Sequence, residues 1–264
     1  MSDRRGCCLV SVAAIAVLSA VAILAATPSS QVTPQAYAPP RTADGKPDLQ
    51  GIWQVMNTAA FDVEPHTGSL GIPAGTGVIV DPPGGLIPYQ PWAAERKTGN
   101  FKTRATADPL SKCFMPGVPR LTYLPFPFQI VQTPRYVTII YEYIHIYRTI
   151  YLDRTKHLDG IDFWNGDSIG RWESNTLVVD VADFNDQTWF DAAGNFHGES
   201  LHVVERYTPT DRDTIVYDVT IEDPKVFTRP WKMSMLLYRH KEKNARLLEY
   251  ECHSYAEDAA RQGQ

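Results

Sequence analysis

The stretch DTIVYDVTIED (residues 213–223) constrains the fold more than any other part of the chain. Ile215, Tyr217, Val219 and Ile221 alternate there with Thr214, Val216, Asp218 and Thr220. A period of two gives an extended strand one clearly apolar face, whereas a helix would spread these residues around its axis. SLHVVERY lies just upstream and pairs with this stretch as a predicted hairpin. GRWESNTLVVDV carries a Ser174-Asn175 turn between two short strands. DLQGIWQ reads as a first strand, and VFTRPWKMSMLLYRH and RLLEYECH complete the set. YVTIIYEYIHIYRTIYL (136–152) reads as one long strand. On that reading Ile140, Ile144, Ile146, Ile150 and Leu152 share a face with Glu142 and Arg148. Tyr141, Tyr143, His145, Tyr147 and Tyr151 share the other.

Many short strands punctuated by turn signals predict an all-β, antiparallel domain. The sequential hairpins point to an up-and-down, calycin-like (lipocalin-like) barrel, with a β-sandwich as the alternative. The single predicted helix lies near 91–98, where Pro91 suits a start and Gly99 a stop. Residues 62–90, rich in Gly and Pro, read as an irregular excursion.

The N-terminus reads as an export segment. Arg4 and Arg5 precede an apolar run from Cys7 to Ala26. A secretory core is usually ~7–15 residues and a spanning helix about 20. The run therefore fits either a cleaved signal or a retained anchor. Residues 27–40 form a Pro/Ser-rich linker, 41–255 a single domain and 256–264 a flexible tail. The expected location is periplasmic or extracellular, with membrane contact only through residues 7–26. Removing 1–26 takes away one negative and two positive charges, so the net charge goes from −5 to −6. An acidic surface does not suit nucleic acid as a partner. Of the four cysteines, Cys7 and Cys8 lie in the export segment. Cys113 and Cys252 remain, and two thiols in an oxidising compartment predict a disulfide. The alternative is a pair of buried free thiols.

Long stretches of the chain resemble a family of secreted bacterial proteins that has no assigned activity. They include RTADGKPDLQGIW (41–53), IPYQPWAAERK (87–97), CFMPGVPR (113–120) and FPFQIVQTPR (126–135). IGRWESNTLVVDV (169–181), 184–215 and IEDPKVFTRPWKMSM (221–235) continue the match. At the Ser174-Asn175 turn the family usually has Gly-Asp, which leaves only the turn type open. The resemblance implies secretion and supplies no catalytic roles.

Two regions carry chemistry-bearing residues. The first, 183–202, interrupts two strands with DFNDQTWFDAAGNFHGES. His197, Asp186 and Asp191 are its acid–base candidates, because carboxylates near an imidazole can bring its proton affinity into the working range. Trp189 and His202 are ligand-binding candidates there. The bland reading is a wide connection whose Asx side chains cap backbone donors. In the second region, Glu142 and Arg148 sit among isoleucines, where an unmatched charge is costly. They are candidates for orienting a ligand, with Tyr143 beside them. His202 and Glu205 fall on opposite faces of their strand, so they do not pair. No zinc spacing, calcium loop, nucleophile elbow or nucleotide fingerprint is present, so no metal or other cofactor is expected.

Two functions follow as expectations. One is an exported enzyme performing isomerase, lyase or hydrolase acid–base chemistry on an apolar, phenolic or sugar-like small molecule. The alternative is a lipocalin-type small-molecule binding protein without catalysis. The clustered carboxylates and imidazoles favour the enzyme. Oligomeric state is left open.

Overall fold

The computed structural model describes residues 37–69 and 71–262. The expected export segment and most of the linker lie outside them. Ten strands form one sheet: β1 (Gly51–Val55), β2 (Ile79–Asp81), β3 (Phe128–Gln132), β4 (Tyr136–Tyr141), β5 (Tyr147–Tyr151), β6 (Asp167–Glu173), β7 (Thr176–Ala182), β8 (His202–Pro209), β9 (Thr214–Glu222) and β10 (Trp231–Arg239). Nine of them close into a barrel in the order β1-β3-β4-β5-β6-β7-β8-β9-β10, with β10 returning to β1. The short β2 is added along β10. The all-β barrel expectation holds.

A closed ring of nine strands cannot alternate direction throughout, so at least one neighbouring pair must run parallel. That pair is β5–β6, joined in register only at Tyr151 and Ile169. Every other pair is antiparallel. A parallel pair needs a connection that travels back along the barrel. Residues 152–166 make that return. The ring therefore has a seam.

Strand directions sort the connections by end. One end has the tight turns at 133–135, 174–175 and 210–213. Ser174 takes φ 54 there, a left-handed conformation that Gly adopts without penalty. Apart from the return over 152–166, the opposite end receives the long connections 56–78, 82–127, 183–201 and 223–230. It also holds the β4–β5 turn and the entry to β6.

Residues 136–152 are not one strand. The backbone reverses at Ile144 and His145, whose φ values are 42 and 54, and Tyr141 donates its N–H to the Ile146 carbonyl at 2.8 Å. The reversal shifts the side-chain parity. Val137, Ile139 and Tyr141 face inward on β4, and Arg148 and Ile150 on β5. Period two cannot reveal this, because the turn contains no Gly, Asn or Pro.

Helices differ from the expectation in number and extent. α1 spans Pro91–Ala107 and passes through Gly99 without stopping. α2 spans Arg120–Tyr123, and α3 spans Cys252–Gln262 across the stretch expected to be a tail. RLLEYECH is no strand: Tyr250 makes one isolated bridge to Tyr143, and α3 begins at Cys252. Cys113 and Cys252 are joined by a disulfide with Cα atoms 5.6 Å apart. Among the described residues no helix is long and apolar enough to cross a membrane.

Candidate functional site

The seam opens a cleft of about 590 Å³ at the end that bears the long connections. Its walls come from both sides of the parallel pair. Ile146, Tyr147 and Tyr151 belong to the β4–β5 hairpin; Leu158, Phe163 and Trp164 belong to the return connection. Phe114 packs on Trp164 with ring centres 5.3 Å apart, and Tyr147 is 72 % exposed at the rim. Only one residue pair ties β5 to β6, so side chains rather than a backbone ladder fill the gap.

Arg148, Ser168 and Asp167 form the polar floor of the lining, and His145, Thr149, Asp162 and Asn165 are its other polar residues. Arg148 points into the barrel, where its two terminal nitrogens donate to both oxygens of Glu205; the Nη1–Oε1 contact is 3.1 Å. Its Nε donates to Ser168 Oγ at 2.9 Å. Tyr207 and Tyr217 donate their hydroxyls to Glu205 Oε1 at 3.0 and 2.6 Å. All four partners of this network are buried. Burial opposes the charge on Arg148, but the Glu205 carboxylate outweighs it and holds the guanidinium well above its ordinary pKa. Burial pushes the hydroxyls of Tyr207 and Tyr217 up as well, reinforced by the Glu205 charge. The floor of the cleft is thus a closed ion pair with its lone pairs satisfied, the arrangement in which a buried pair is tolerated.

A second polar group lies on the outer side of the seam. Arg154 forks onto Asp167 at 2.9 and 2.8 Å. His157 bridges two carboxylates, with Nδ1 3.2 Å from Asp167 Oδ2 and Nε2 2.7 Å from Asp180 Oδ1. His202 reaches the same Asp180 oxygen at 3.2 Å and lies 3.7 Å from Glu222. The His202 hydrogen bond, assisted by His157, lowers Asp180 to about 2. The Asp180 contact in turn raises His202. Arg154, His157 and Asp180 line a separate hollow of about 480 Å³ outside the cleft, while Asp167 lines the cleft itself. Both nitrogens of His157 thus face carboxylate oxygens, one on each side of the ring.

His157, Asp167 and Asp183 each bring one donor atom within 4.8 Å of the others, a donor set that suits a divalent cation. Asp183 sits at φ 59 with a buried Oδ2 that has no partner among the described residues. A cation there would compete with the Arg154 fork for Asp167.

The structure separates the residues singled out from the sequence. Asp191 and His197 lie in the connection 183–201, whose aromatic residues Phe184, Trp189, Phe190 and Phe196 join the barrel core. Asp191 is fully buried and accepts N–H bonds from Val63, Ala193 and Asn195, and from the Asn195 side chain. Burial and the nearby Asp62 push it up to about 7. His197 is 1 % exposed. Its Nδ1 donates to the Gly198 carbonyl at 2.9 Å, so its Nε2 accepts from the Thr188 hydroxyl at 2.6 Å. Burial lowers its pKa. Phe184 and Phe190 enclose the ring. Trp189 is buried in the same core, while Asp186 is exposed. These residues do not converge.

Nor do Glu142 and Arg148 pair. Glu142 sits in the β4–β5 turn and accepts the Leu248 N–H at 2.7 Å. Tyr143 stacks on Tyr250 with centres 5.4 Å apart. Arg148 does line the cleft, and His202 belongs to the outer cluster; Glu205, its strand neighbour on the opposite face, is the partner of Arg148. Besides Tyr147, the residues missed from the sequence include His157, Asp162, Trp164, Asp167, Ser168 and Asp180. All but Tyr147 and Asp180 lie between 153 and 168, where the dense run DFWNGDS was the only signal.

The class of protein this defines is a closed mixed β-barrel with a ligand-sized cleft at its parallel seam. No protein-family model, curated protein or solved structure matches the chain.

Proposed function

We propose that the protein binds a small, largely apolar or aromatic molecule in the seam cleft. The observation that carries this reading is a cleft of about 590 Å³ with aromatic walls and a small polar floor, the usual composition of a small-molecule site. A pocket left between two barely joined strands also needs no rearrangement of the ladder to admit a ligand. The lipocalin-type binding reading is therefore preferred to the enzymatic one, because Arg148 and Asp167 are both committed to internal partners. Acid–base catalysis stays as the second reading on one observation, the suspension of His157 between Asp167 and Asp180 beside the cleft. Export belongs to the same proposal, supported by the apolar N-terminal run and by the disulfide, which suits an oxidising compartment.

The test is a titration with the neutral dye Nile red, followed by its fluorescence. The native protein should bind saturably. Trp164→Ala and Tyr147→Ala should each weaken binding by about tenfold, the usual loss for an aromatic anchor, without moving the unfolding midpoint by more than a few degrees. Unchanged dye affinity in both variants would remove the ligand from this cleft.

A further inference from the structure

The charges around the cleft, taken one by one, narrow the class of molecule that fits it. Four side chains lining it can carry charge: His145, Arg148, Asp162 and Asp167. Arg148 is closed by Glu205. Asp167 is closed by the Arg154 fork. His145 faces Glu251, with Nδ1 2.8 Å from a carboxylate oxygen. Asp162 is exposed, and no ion pair or hydrogen bond compensates it among the described residues. The one uncompensated charge on the lining is therefore a carboxylate.

The aromatic walls act in the same direction. Phe163 and Trp164 follow Asp162 directly, and Tyr147 and Tyr151 stand on the opposite strand. Ring faces carry negative potential and attract cations, Trp most strongly. The seam already shows the contact with a group of its own: the Arg154 guanidinium lies 5.0 Å from the centre of the Tyr151 ring. An anionic ligand meets the opposite situation. The only arginine on the lining has its fork filled by Glu205, so no free guanidinium remains to receive a carboxylate or phosphate.

From this we infer that the cleft selects an organic cation, an ammonium or amidinium group carried on an apolar or aromatic body, with the charge beside Asp162 and the body against Trp164 and Tyr147. The inference rests on the binding function proposed above and specifies its ligand.

Three probes with one ring system test it by isothermal titration: (2-naphthylmethyl)trimethylammonium, neutral 2-naphthol and anionic 2-naphthoate. The cation should bind about tenfold more tightly than either of the others, since an aromatic cage and an acidic rim both favour it. Asp162→Asn should reduce that preference to about twofold and leave 2-naphthol affinity unchanged. Salt at about 0.5 M should weaken the cation selectively, because an exposed charge is screened. Equal affinities for all three probes, a preference for the anion, or a cation preference untouched by Asp162→Asn would each overturn the inference while leaving the cleft a binding site. Failure of all three probes to bind would overturn the binding function as well.

Discussion

Glu205 shows how one side chain sets the character of the barrel interior. It has no solvent exposure and receives hydrogen bonds from Arg148, Tyr207 and Tyr217. Glu205→Gln keeps the shape and an acceptor for the two tyrosines but leaves the guanidinium without a counter-charge. Breaking a buried pair from one side costs roughly 3–5 kcal/mol, and denaturant unfolding should show a loss of that size. The double variant Arg148→Met/Glu205→Gln should recover most of it, since no buried charge is left. Additive losses would contradict this account. Asp180 and His202 make a titratable pair on the outside. Asp180 is lowered from 3.8 to about 2 in the folded state, so its contribution is present above about pH 4 and lost as pH falls through 2. His202 is raised from 6.5, so its contribution is present below that value and lost as pH rises through the higher folded value. The stability difference between the native protein and Asp180→Asn should therefore peak between about pH 4 and 6.5 and shrink on both sides. Both groups are more than one-third exposed, so solvent screening keeps the peak small. A difference that stays flat across this range would sever the link to this pair.

At the scale of elements, α1 is the clearest case of a local signal overridden by its surroundings. Gly99 reads as a stop, yet the helix runs eight residues further, to Ala107. Ala93 is buried on its inner face, and Asn100 donates its side-chain N–H to the Gly194 carbonyl at 3.1 Å. Those tertiary contacts hold the second half in place despite the glycine. A Cβ added at Gly99 would meet nothing within 4 Å. Gly99→Ala should accordingly stabilise the protein by about 0.5–1 kcal/mol through backbone entropy alone. Thermal unfolding measures it, and a lowered midpoint would mean that the helix is strained at this position. The β4–β5 hairpin is the complementary case. Its turn residues, EYIHI, have no turn chemistry of their own. Ile144 donates its N–H to the Tyr250 carbonyl at 3.1 Å and Glu142 accepts from Leu248, so the chain after β10 braces the turn from outside.

At the scale of the molecule, the disulfide ties that C-terminal stretch to the segment before α2. It closes a loop of 139 residues and, in the chain-entropy model, stabilises by about 4–5 kcal/mol. It also fixes both flanks of the cleft, since Met115 lies two residues beyond Cys113 and Glu251 precedes Cys252. Non-reduced peptide mapping should recover Cys113 and Cys252 as one linked species. Reduction should lower the unfolding free energy by several kcal/mol and weaken Nile red binding along with it. Free thiols at both positions in the non-reduced protein would end the prediction.

Strand existence was legible in the sequence wherever one face is buried and the other solvated, as in Ile215 to Ile221, because a sheet imposes period two on such residues. The Cys113–Cys252 pairing was legible from counting the two cysteines outside the apolar N-terminal run, and the all-β class from the recurrence of short strands. The partner of Arg148 was not. Its identity depends on a turn at Ile144 and His145 that shifts the parity of β5, and on a ring closure that brings β8 across the barrel from β5. Both are decisions between segments far apart in the chain, and no local pattern encodes them. The same holds for the polar run around His197. Alone it reads as a site; folded, Thr188, Gly198 and two phenylalanines satisfy and enclose the imidazole. The cleft itself arises from the odd number of strands in the ring. That number is fixed only when β10 pairs with β1, and it is closure that forces the parallel seam between β5 and β6.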